Sequence, residues 1–378
     1  MLRSKQSFER IDYHPRRSHA FHRLAAFLAV AAALMIALAV LTITTANRLT
    51  GAEAVALSTP TANIMPAYQN VSFASLDESF TLKGWLFYTD TSSRGTVIMV
   101  HDYGQNRLMY GDDSAAMYSA LTEAGFNVLS FDLRHSGSSG GDMHGFGYSE
   151  WEDVLAATQQ AYRLTGDSKY IYLARGSGIT AVLRAIDYMD SLGQDSSTQT
   201  STLQATTSDQ ANPATGAGSL TLAETTAGNT LSEAYAEKLE FTKDMISGLI
   251  LDQPLNSGDD YIKAALTATE AGWIGTLTAG TVPYAVRLSA GLASPLYTVK
   301  ELNHFLNPVL LIARATAADQ STAAPDTSIS DSSQVINERL RLLPSLTTEY
   351  SLSVPSDSSS IDYTDYIQAV TDFLHINF

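Results

Sequence analysis

The stretch NVLSFDLRHSGSSGGD (Asn127–Asp142) decides the fold, because a short apolar run ends abruptly in a polar loop rich in glycine and serine. The same arrangement occurs earlier, where TVIMV (Thr96–Val100) ends at the turn HDYG (His101–Gly104). Between these runs, Ser114–Glu123 has the spacing of an amphipathic helix, which ends before Gly125. Buried strand, helix and buried strand in this order are typical of a parallel sheet covered on both faces.

The alternation of strand and helix patterns continues in both directions. Upstream, Val71–Phe73 and Phe80–Tyr88 are predicted to form an antiparallel strand pair. Downstream, further strands and helices are predicted at Trp151–Leu164, Tyr170–Leu173, Thr180–Leu192, Ile246–Leu251, Pro308–Ala313, Thr348–Val354 and Tyr363–Leu374. The sequence therefore predicts one α/β domain over residues 70–378, with a mostly parallel, doubly covered sheet.

Two polar segments interrupt this domain. Asp195–Asn229 is rich in Ser, Thr, Ala and Gly and has almost no large apolar residue, so we predict a disordered polar insertion. Ala315–Ser333 has a similar composition over a shorter length. Asn256–Val299 is instead apolar with helical spacing, and it lies between two predicted strands. This third segment is predicted to form a small helical cap over the carboxyl edge of the sheet.

Near the N-terminus, Leu24–Ala46 contains no charged residue and is long enough to span a bilayer. Six Lys or Arg and two Asp or Glu precede it, which gives this tail a net charge of +4. Because the whole chain has a net charge of −16, the remainder carries −20. Basic flanks stay in the cytoplasm. We expect a cytoplasmic tail (1–23), a single-pass anchor in the cell membrane (24–46), a linker (47–69) and an extracytoplasmic domain. A cleavable signal peptide remains open, because the apolar run ends among small residues.

The composition argues against several classes of function. A net charge of −16 repels nucleic acid, so no nucleic-acid partner is expected. The chain has no cysteine, which excludes disulfides, thiolate metal ligands and a cysteine nucleophile. No set of His and carboxylate residues has the spacing of a metal site. We therefore expect neither a metal nor another cofactor.

The stretch Gly95–Asp153 resembles the α/β-hydrolase superfamily, and within it the serine-aminopeptidase-like and monoacylglycerol-lipase-like branch. VHDYGQNR (Val100–Arg107) is similar to that branch's strand and His-Gly-aromatic turn, and FDLRHSGSSGGD (Phe131–Asp142) to its Asp-x-Arg-Gly-His-Gly-x-Ser-Gly-Gly signature. The resemblance continues through GYSEWEDVLAA (147–157), GLILDQPLNS (248–257) and ASPLYTVKELNHFLNPVLLIA (293–313). It covers about residues 70–378 apart from the two polar segments, and it implies the α/β-hydrolase fold.

By this resemblance, YIYLARGSGITAVLRA (Tyr170–Ala185) falls where the nucleophile elbow belongs, with Ser177 in the place of the nucleophile. The usual elbow reads Gly-x-Ser-x-Gly. Here the residues two positions from the serine are Arg175 and Ile179, and the glycines lie next to it as Gly176 and Gly178. Because bulky residues crowd such a turn, a strand-to-helix turn kept only for folding is the competing interpretation.

The remaining catalytic parts are incomplete. The resemblance places the catalytic acid near Ala317, and Asp319 is the candidate. The catalytic histidine should lie in PSDSSSIDYTDY (355–366), which contains none. The oxyanion hole would use the backbone N–H groups of Tyr103 and Gly178. Asp102 replaces the family's glycine beside that hole, where its charge would oppose a developing oxyanion.

Two functions therefore remain open. The first is a membrane-anchored, extracytoplasmic protein of the α/β-hydrolase fold that is non-catalytic or weakly active and has a binding or scaffold role. The alternative is a serine hydrolase, an esterase or peptidase, with an unusual general base, for which His101 is the nearest candidate. If the domain binds a ligand, we expect a small-molecule ester or peptide. The missing histidine, the altered elbow and Asp102 favour the first function.

Overall fold

The computed structural model describes residues 19–58, 64–206, 239–269, 272–292, 294–316, 332–354 and 361–378. For residues 19–20, 193–206 and 315–316, only the backbone is described.

An eight-stranded sheet in the order β1-β2-β4-β3-β5-β6-β7-β8 forms the centre of the domain. Only β2 runs antiparallel to its neighbours β1 and β4, and the other pairs are parallel. This confirms the mostly parallel sheet with an antiparallel pair at its start. The strands are β1 (Gln69–Ala74), β2 (Thr81–Phe87), β3 (Thr96–Val100), β4 (Asn127–Asp132), β5 (Tyr170–Arg175), β6 (Ile246–Asp252), β7 (Val309–Thr316) and β8 (Thr347–Val354).

Alternate side chains of the central strands enter two separate cores. On β3, Ile98 and Val100 face one core, and Val97 and Met99 face the other; all four are fully buried. Helices α3 (Trp151–Thr165) and α4 (Gly178–Thr206) contribute to the first core, and α2 (Ser114–Glu123) and the C-terminal helix (Thr364–Asn377) to the second. Helices cover both faces, so the strands consist of continuous apolar runs.

The segment predicted as a cap, 256–299, contains three helices: α5 (Gly258–Thr269), α6 (Trp273–Thr278) and α7 (Val282–Ser289). Helix α8 (Thr298–His304) then leads to β7. Helix α9 (Ser333–Leu342) connects β7 to β8, and the C-terminal helix is α10.

Helix α4 continues to Thr206 and so includes the first residues of the predicted polar insertion, Asp195–Asn229. For residues 195–206, the prediction of a disordered loop is therefore corrected, because the helix that follows β5 extends past the apolar segment that packs on the sheet. The rest of that segment, and residues 317–331 of the second polar segment, lie outside the described residues.

Helix α1 (His19–Thr50) is longer than the predicted anchor, and its apolar part is long enough to cross a membrane. From Phe21 to Leu41 its side chains are almost all exposed. Its last turns instead pack on the cap and the neighbouring loops through buried residues spaced as one helical face, namely Thr42, Thr45, Ala46, Leu49 and Thr50.

The linker after α1 follows the surface of the domain. The backbone N–H of His144 donates to the carbonyl of Thr50 (2.7 Å), and Nε2 of His135 lies 3.0 Å from the carbonyl of Ala52. The amide of Asn106 donates to the carbonyls of residues 55 and 56. The end of the apolar helix is thus fixed to the domain that follows it.

Candidate active site at the turn after β5

The strand-to-helix turn after β5 has its backbone strain at Gly176. Strand β5 ends at Arg175, Gly176 has φ +53°, and α4 begins at Gly178. In a Gly-x-Ser-x-Gly elbow the serine itself occupies the strained position. Here that position is a glycine, and Ser177, the expected nucleophile, is the next residue along the chain.

The positions of the turn that must be small also lie one residue earlier than the sequence resemblance implied. A Cβ on Gly178 would lie 2.7 Å from the carbonyl oxygens of Val100 and His101, so this position has to be glycine. Ala174, two residues before Gly176, is fully buried. Small residues therefore stand two positions on either side of Gly176, and the expectation that Arg175 and Ile179 crowd the turn is corrected.

The carboxylate of Asp102 occupies the centre of the site. Its Oδ1 accepts hydrogen bonds from the backbone N–H of Tyr103 (2.7 Å), the backbone N–H of Ser177 (2.7 Å) and the hydroxyl of Ser177 (2.9 Å). The N–H of Tyr103 also lies 2.8 Å from Ser177 Oγ. The Ser177 side chain is buried and has a partner for both its proton and its lone pair.

Asp102 and Gly176 share one space. A Cβ built on Gly176 would lie 2.1 Å from the Asp102 carboxyl carbon and 2.3 Å from both carboxylate oxygens. The carboxylate thus lies where any larger residue at position 176 would begin its side chain. The aspartate at position 102 can therefore adopt this conformation only with a glycine at position 176.

The two converging backbone donors are Tyr103 and Ser177. The sequence resemblance implied Tyr103 and Gly178 as the donors. In the structure, the two backbone N–H groups that donate to one acceptor atom are those of residues 103 and 177. In this fold the oxyanion hole combines the N–H after the nucleophile with one from the loop after β3. If position 176 is the nucleophile's place, Ser177 supplies the first of these, and the assignment of Gly178 is corrected.

His101 is not placed to act as a base. It is buried, its Nδ1 donates to the carbonyl of Asp102 (2.8 Å), and its Nε2 accepts from the N–H of Leu133 (3.0 Å). Burial lowers the pKa of His101, so the ring stays neutral with its proton on Nδ1. Both nitrogens are used within the fold. The candidate acid Asp319 and residues 355–360 lie outside the described residues.

A buried ion-pair cluster lies on the neighbouring strand ends. Asp252, at the end of β6, is fully buried and accepts two hydrogen bonds from Arg314 of β7, at 2.9 and 2.5 Å. Nε of Arg175 lies 3.8 Å from the same carboxylate. The sequence analysis did not assign these residues. Their signal was a charged residue at or near the carboxyl end of each of three neighbouring strands.

A pocket of about 290 Å³ opens between α5 and the turn. Asp102 and Tyr103 line one end, and most of the other lining residues are apolar: Phe146, Gly176, Gln253, Leu255, Tyr261, Ala264, Ala265, Ala268 and Thr269. No basic side chain in the described part of the chain forms an ion pair with Asp102. The described residues also contain no group of three or more His, Cys, Asp or Glu that could hold a metal ion.

Known proteins share this architecture but little sequence. An esterase of Pyrococcus furiosus superposes with a TM-score of 0.51 at 16% identity, over 85% of this chain and 96% of the esterase. The chain has the α/β-hydrolase fold. An esterase of a Rhodococcus species is similar with a TM-score of 0.46 at 13% identity, over 82% of this chain and 99% of that one. The sequence matches no protein-family model and no curated protein.

In this α/β-hydrolase fold, the signature loop after β4 has a structural role. Asp132 is fully buried and accepts from Nε and Nη2 of Arg107 (3.1 and 2.6 Å) and from the N–H of Ser138 (2.7 Å). Arg134 forms hydrogen bonds to both oxygens of Asp153 on α3. The most specific part of the sequence resemblance therefore holds a loop in place and supplies no reacting group.

Proposed function

We propose that this chain is a membrane-anchored α/β-hydrolase-fold protein that binds a small ligand and does not hydrolyse it. The observation that carries the proposal is the Asp102 carboxylate, whose Oδ1 accepts the N–H groups of Tyr103 and Ser177 beside a glycine at the strained position of the turn. Three parts of an acyl-transfer site are affected: the nucleophile, the oxyanion hole and the base.

The nucleophile is the first. The strained position of the elbow directs its side chain to the edge of the sheet, and Gly176 has no side chain to direct. Ser177 is one residue later and is 3% exposed, and its hydroxyl already donates to Asp102. A hydroxyl this deeply buried lacks access to a substrate.

The oxyanion hole is the second. Its two N–H groups would have to release Asp102 before they could stabilise a tetrahedral intermediate. If Asp102 stayed nearby, two like charges about 4 Å apart would repel by roughly 4 kcal/mol at an effective dielectric constant of about 20. Such a penalty slows a reaction by about 10³-fold.

The base is the third. The segment that should carry the histidine, residues 355–366, has none, and both nitrogens of His101 are used by backbone groups. Removing one member of a serine triad leaves about 10³–10⁴-fold acceleration over water. With all three parts altered, we expect no measurable turnover.

The pocket supports a binding role and indicates the ligand's chemistry. Oδ1 of Asp102 is fully used, but the carboxylate lines a pocket whose other walls are mostly apolar. A partly buried carboxylate with no basic partner among the described residues favours a ligand that carries a positive charge. We infer an apolar molecule with an amino group, such as the N-terminus of a short peptide or an amine-bearing ester.

The location follows from the apolar helix. We propose that α1 anchors the chain in the cell membrane with residues 1–23 in the cytoplasm and the domain outside. The support is the +4 charge before the apolar run and the acidic composition after it. The packing of Leu49 and Thr50 against the domain favours a helix that is retained over one that is cleaved.

Catalysis is tested with the purified full-length chain in detergent micelles. We expect it to hydrolyse p-nitrophenyl acetate no faster than its Ser177→Ala variant, and a fluorophosphonate probe to leave both unlabelled. Turnover that disappears in Ser177→Ala would contradict the non-catalytic proposal.

Ligand chemistry is tested by saturation-transfer NMR with two probes that share a phenylethyl group, 2-phenylethylamine and 3-phenylpropionate. We expect the amine to bind and the carboxylate not to bind. Asp102→Asn, which keeps the shape of the side chain, should weaken amine binding by tenfold or more. Equal binding of both probes would mean that Asp102 does not select the ligand.

One observation favours the second candidate function, a serine hydrolase. Ser177 Oγ lies 2.9 Å from Asp102 Oδ1, which is within the reach required of a general base. If fluorophosphonate labels Ser177 in the wild type and fails to label it in Asp102→Asn, this dyad is the unusual base and the chain is an enzyme.

A further inference from the structure

The cap segment Gly272–Leu292, GWIGTLTAGTVPYAVRLSAGL, presents no charged side chain to solvent. Its one charged residue is Arg287, which is buried with Nε 3.0 Å from Asp259 Oδ1 of α5. The chain as a whole has a net charge of −16. A surface segment of this length without charge is unusual in such a chain, and it marks a surface that does not face bulk water.

Large apolar side chains project from this segment. Trp273 is 71% exposed on α6, and Leu277, Tyr284 and Leu288 are each about half exposed. The small residues around them, mostly Gly, Ala, Ser and Thr, leave these four as the main contact groups. Tryptophan and tyrosine concentrate where a protein meets the interface of a bilayer.

The apolar segment lies directly beside α1. Helices α6 and α7 both contact the last turns of α1, and the hydroxyls of Thr42 and Thr281 are 2.7 Å apart. This hydrogen bond sets the level of the cap along the helix, because Thr281 stands at the junction of α6 and α7.

The position of Thr42 agrees with the thickness of a bilayer. At about 1.5 Å per residue, the uncharged stretch from Leu24 to Leu41 is roughly 27 Å long, and the hydrocarbon core of a bilayer is about 30 Å thick. This uncharged, exposed part of α1 therefore fills most of the core, and protein contacts begin at Thr42, near its boundary. The junction of α6 and α7 is at the same level.

We propose that α6 and α7 lie in the plane of the membrane interface beside α1, with Trp273, Leu277, Tyr284 and Leu288 in contact with lipid. The occupant of this surface is the same bilayer that α1 crosses, since a helix in that bilayer fixes the surface at its boundary. The strength with which a helix binds a membrane interface increases with the apolar area that it buries there. The proposal rests on the proposed membrane anchor, and it holds for either orientation of the chain and for either activity of the site.

The first experiment uses Trp273 as a probe in the full-length chain, reconstituted in phosphatidylcholine vesicles with brominated acyl chains. The chain has three tryptophans, and Trp85 is 4% exposed while Trp151 is partly buried. We expect bromine to quench a component of the emission that is absent in Trp273→Phe. If aqueous iodide quenches this component and bromolipid does not, Trp273 faces water and the proposal is wrong.

A second measurement separates lipid from a protein partner. Because the chain has no cysteine, Leu277→Cys can be labelled with an environment-sensitive fluorophore without other changes. The matched control is Ala116→Cys on α2, which is exposed on the opposite face of the sheet. We expect spin-labelled lipid to quench the label at 277 at least fivefold more than the label at 116. Emission that is blue-shifted at 277 but insensitive to spin-labelled lipid would show a second copy or another protein there, and would overturn the proposal.

Discussion

If Asp102 and Gly176 occupy one space, their substitutions must not be additive. A Cβ on Gly176 would lie 2.1 Å from the Asp102 carboxyl carbon, and such overpacking costs about 1–3 kcal/mol. The alanine would also have to adopt φ +53°, which costs about 1–2 kcal/mol for a residue with a Cβ. We therefore expect Gly176→Ala to lower the free energy of unfolding by about 2–5 kcal/mol.

The second substitution removes only one of these costs. In an Asp102→Gly background the carboxylate is gone, so Gly176→Ala should cost only the backbone part, about 1–2 kcal/mol. Asp102→Asn is the matched control, because it removes the charge and keeps the volume. In that background Gly176→Ala should cost as much as in the wild type.

The assay is urea unfolding of the full-length chain in detergent micelles, followed by circular dichroism, for the wild type and the five variants. The coupling free energy between positions 102 and 176 should be about 1–3 kcal/mol. A coupling below about 0.5 kcal/mol would refute the shared space, because independent sites add to within that margin. If Gly176→Ala also costs less in the Asp102→Asn background than in the wild type, then charge, and not volume, links the two positions.

Three further predictions concern acid, the ion-pair cluster and topology. Burial lowers the pKa of His144 to about 4, so only the unfolded chain protonates this imidazole as the pH falls from 6.5 to 4. The folded state should therefore lose up to roughly 3 kcal/mol of the stability that it has above pH 6.5. In His144→Phe the melting temperature should depend less on pH over this range. Arg314→Gln should destabilise the fold by about 3–5 kcal/mol because it leaves Asp252 buried with a weakened partner, and adding Asp252→Asn should restore part of the loss in urea unfolding. Protease added to intact spheroplasts should digest the domain, whereas protection until lysis would reverse the proposed orientation of Leu24–Ala46.

The fold could be predicted because its signals are local. The apolar runs at Thr96–Val100 and Asn127–Phe131 form buried strands in the structure, and Ser114–Glu123 is the helix between them. Each strand is buried on both faces, which forces a continuous apolar run that periodicity can detect. Helix boundaries were less accurate: α4 extends to Thr206, because a helix with no breaker can continue past the residues that pack.

The site was harder to predict because its register depends on backbone geometry. The sequence resemblance matched Ser177 to the serine of the usual elbow and so placed it at the nucleophile's position. The positive φ at Gly176 and the close approach of Gly178 to β3 place the turn one residue earlier. No residue pattern reports φ at a glycine, and no local signal links Asp102 to a turn 74 residues away along the chain. The aspartate was recognised as unfavourable for catalysis, but its position inside the turn was not.

The position of Asp102 can be explained by the hydrogen bonds that the donors of an empty oxyanion hole lack. Two backbone N–H groups that converge on one point are unsatisfied until an anion or water arrives, and buried donors without a partner cost about 1–3 kcal/mol each. An enzyme keeps this site open because the transition state fills it. Here Asp102 fills it permanently, and it fits because Gly176 has no side chain. In the proposed non-catalytic role the hole stabilises no transition state, and an internal carboxylate that satisfies both donors stabilises the turn. The same carboxylate lines the pocket beside the turn, so under the proposed function one side chain both occupies the oxyanion hole and supplies the charge that a cationic ligand would meet.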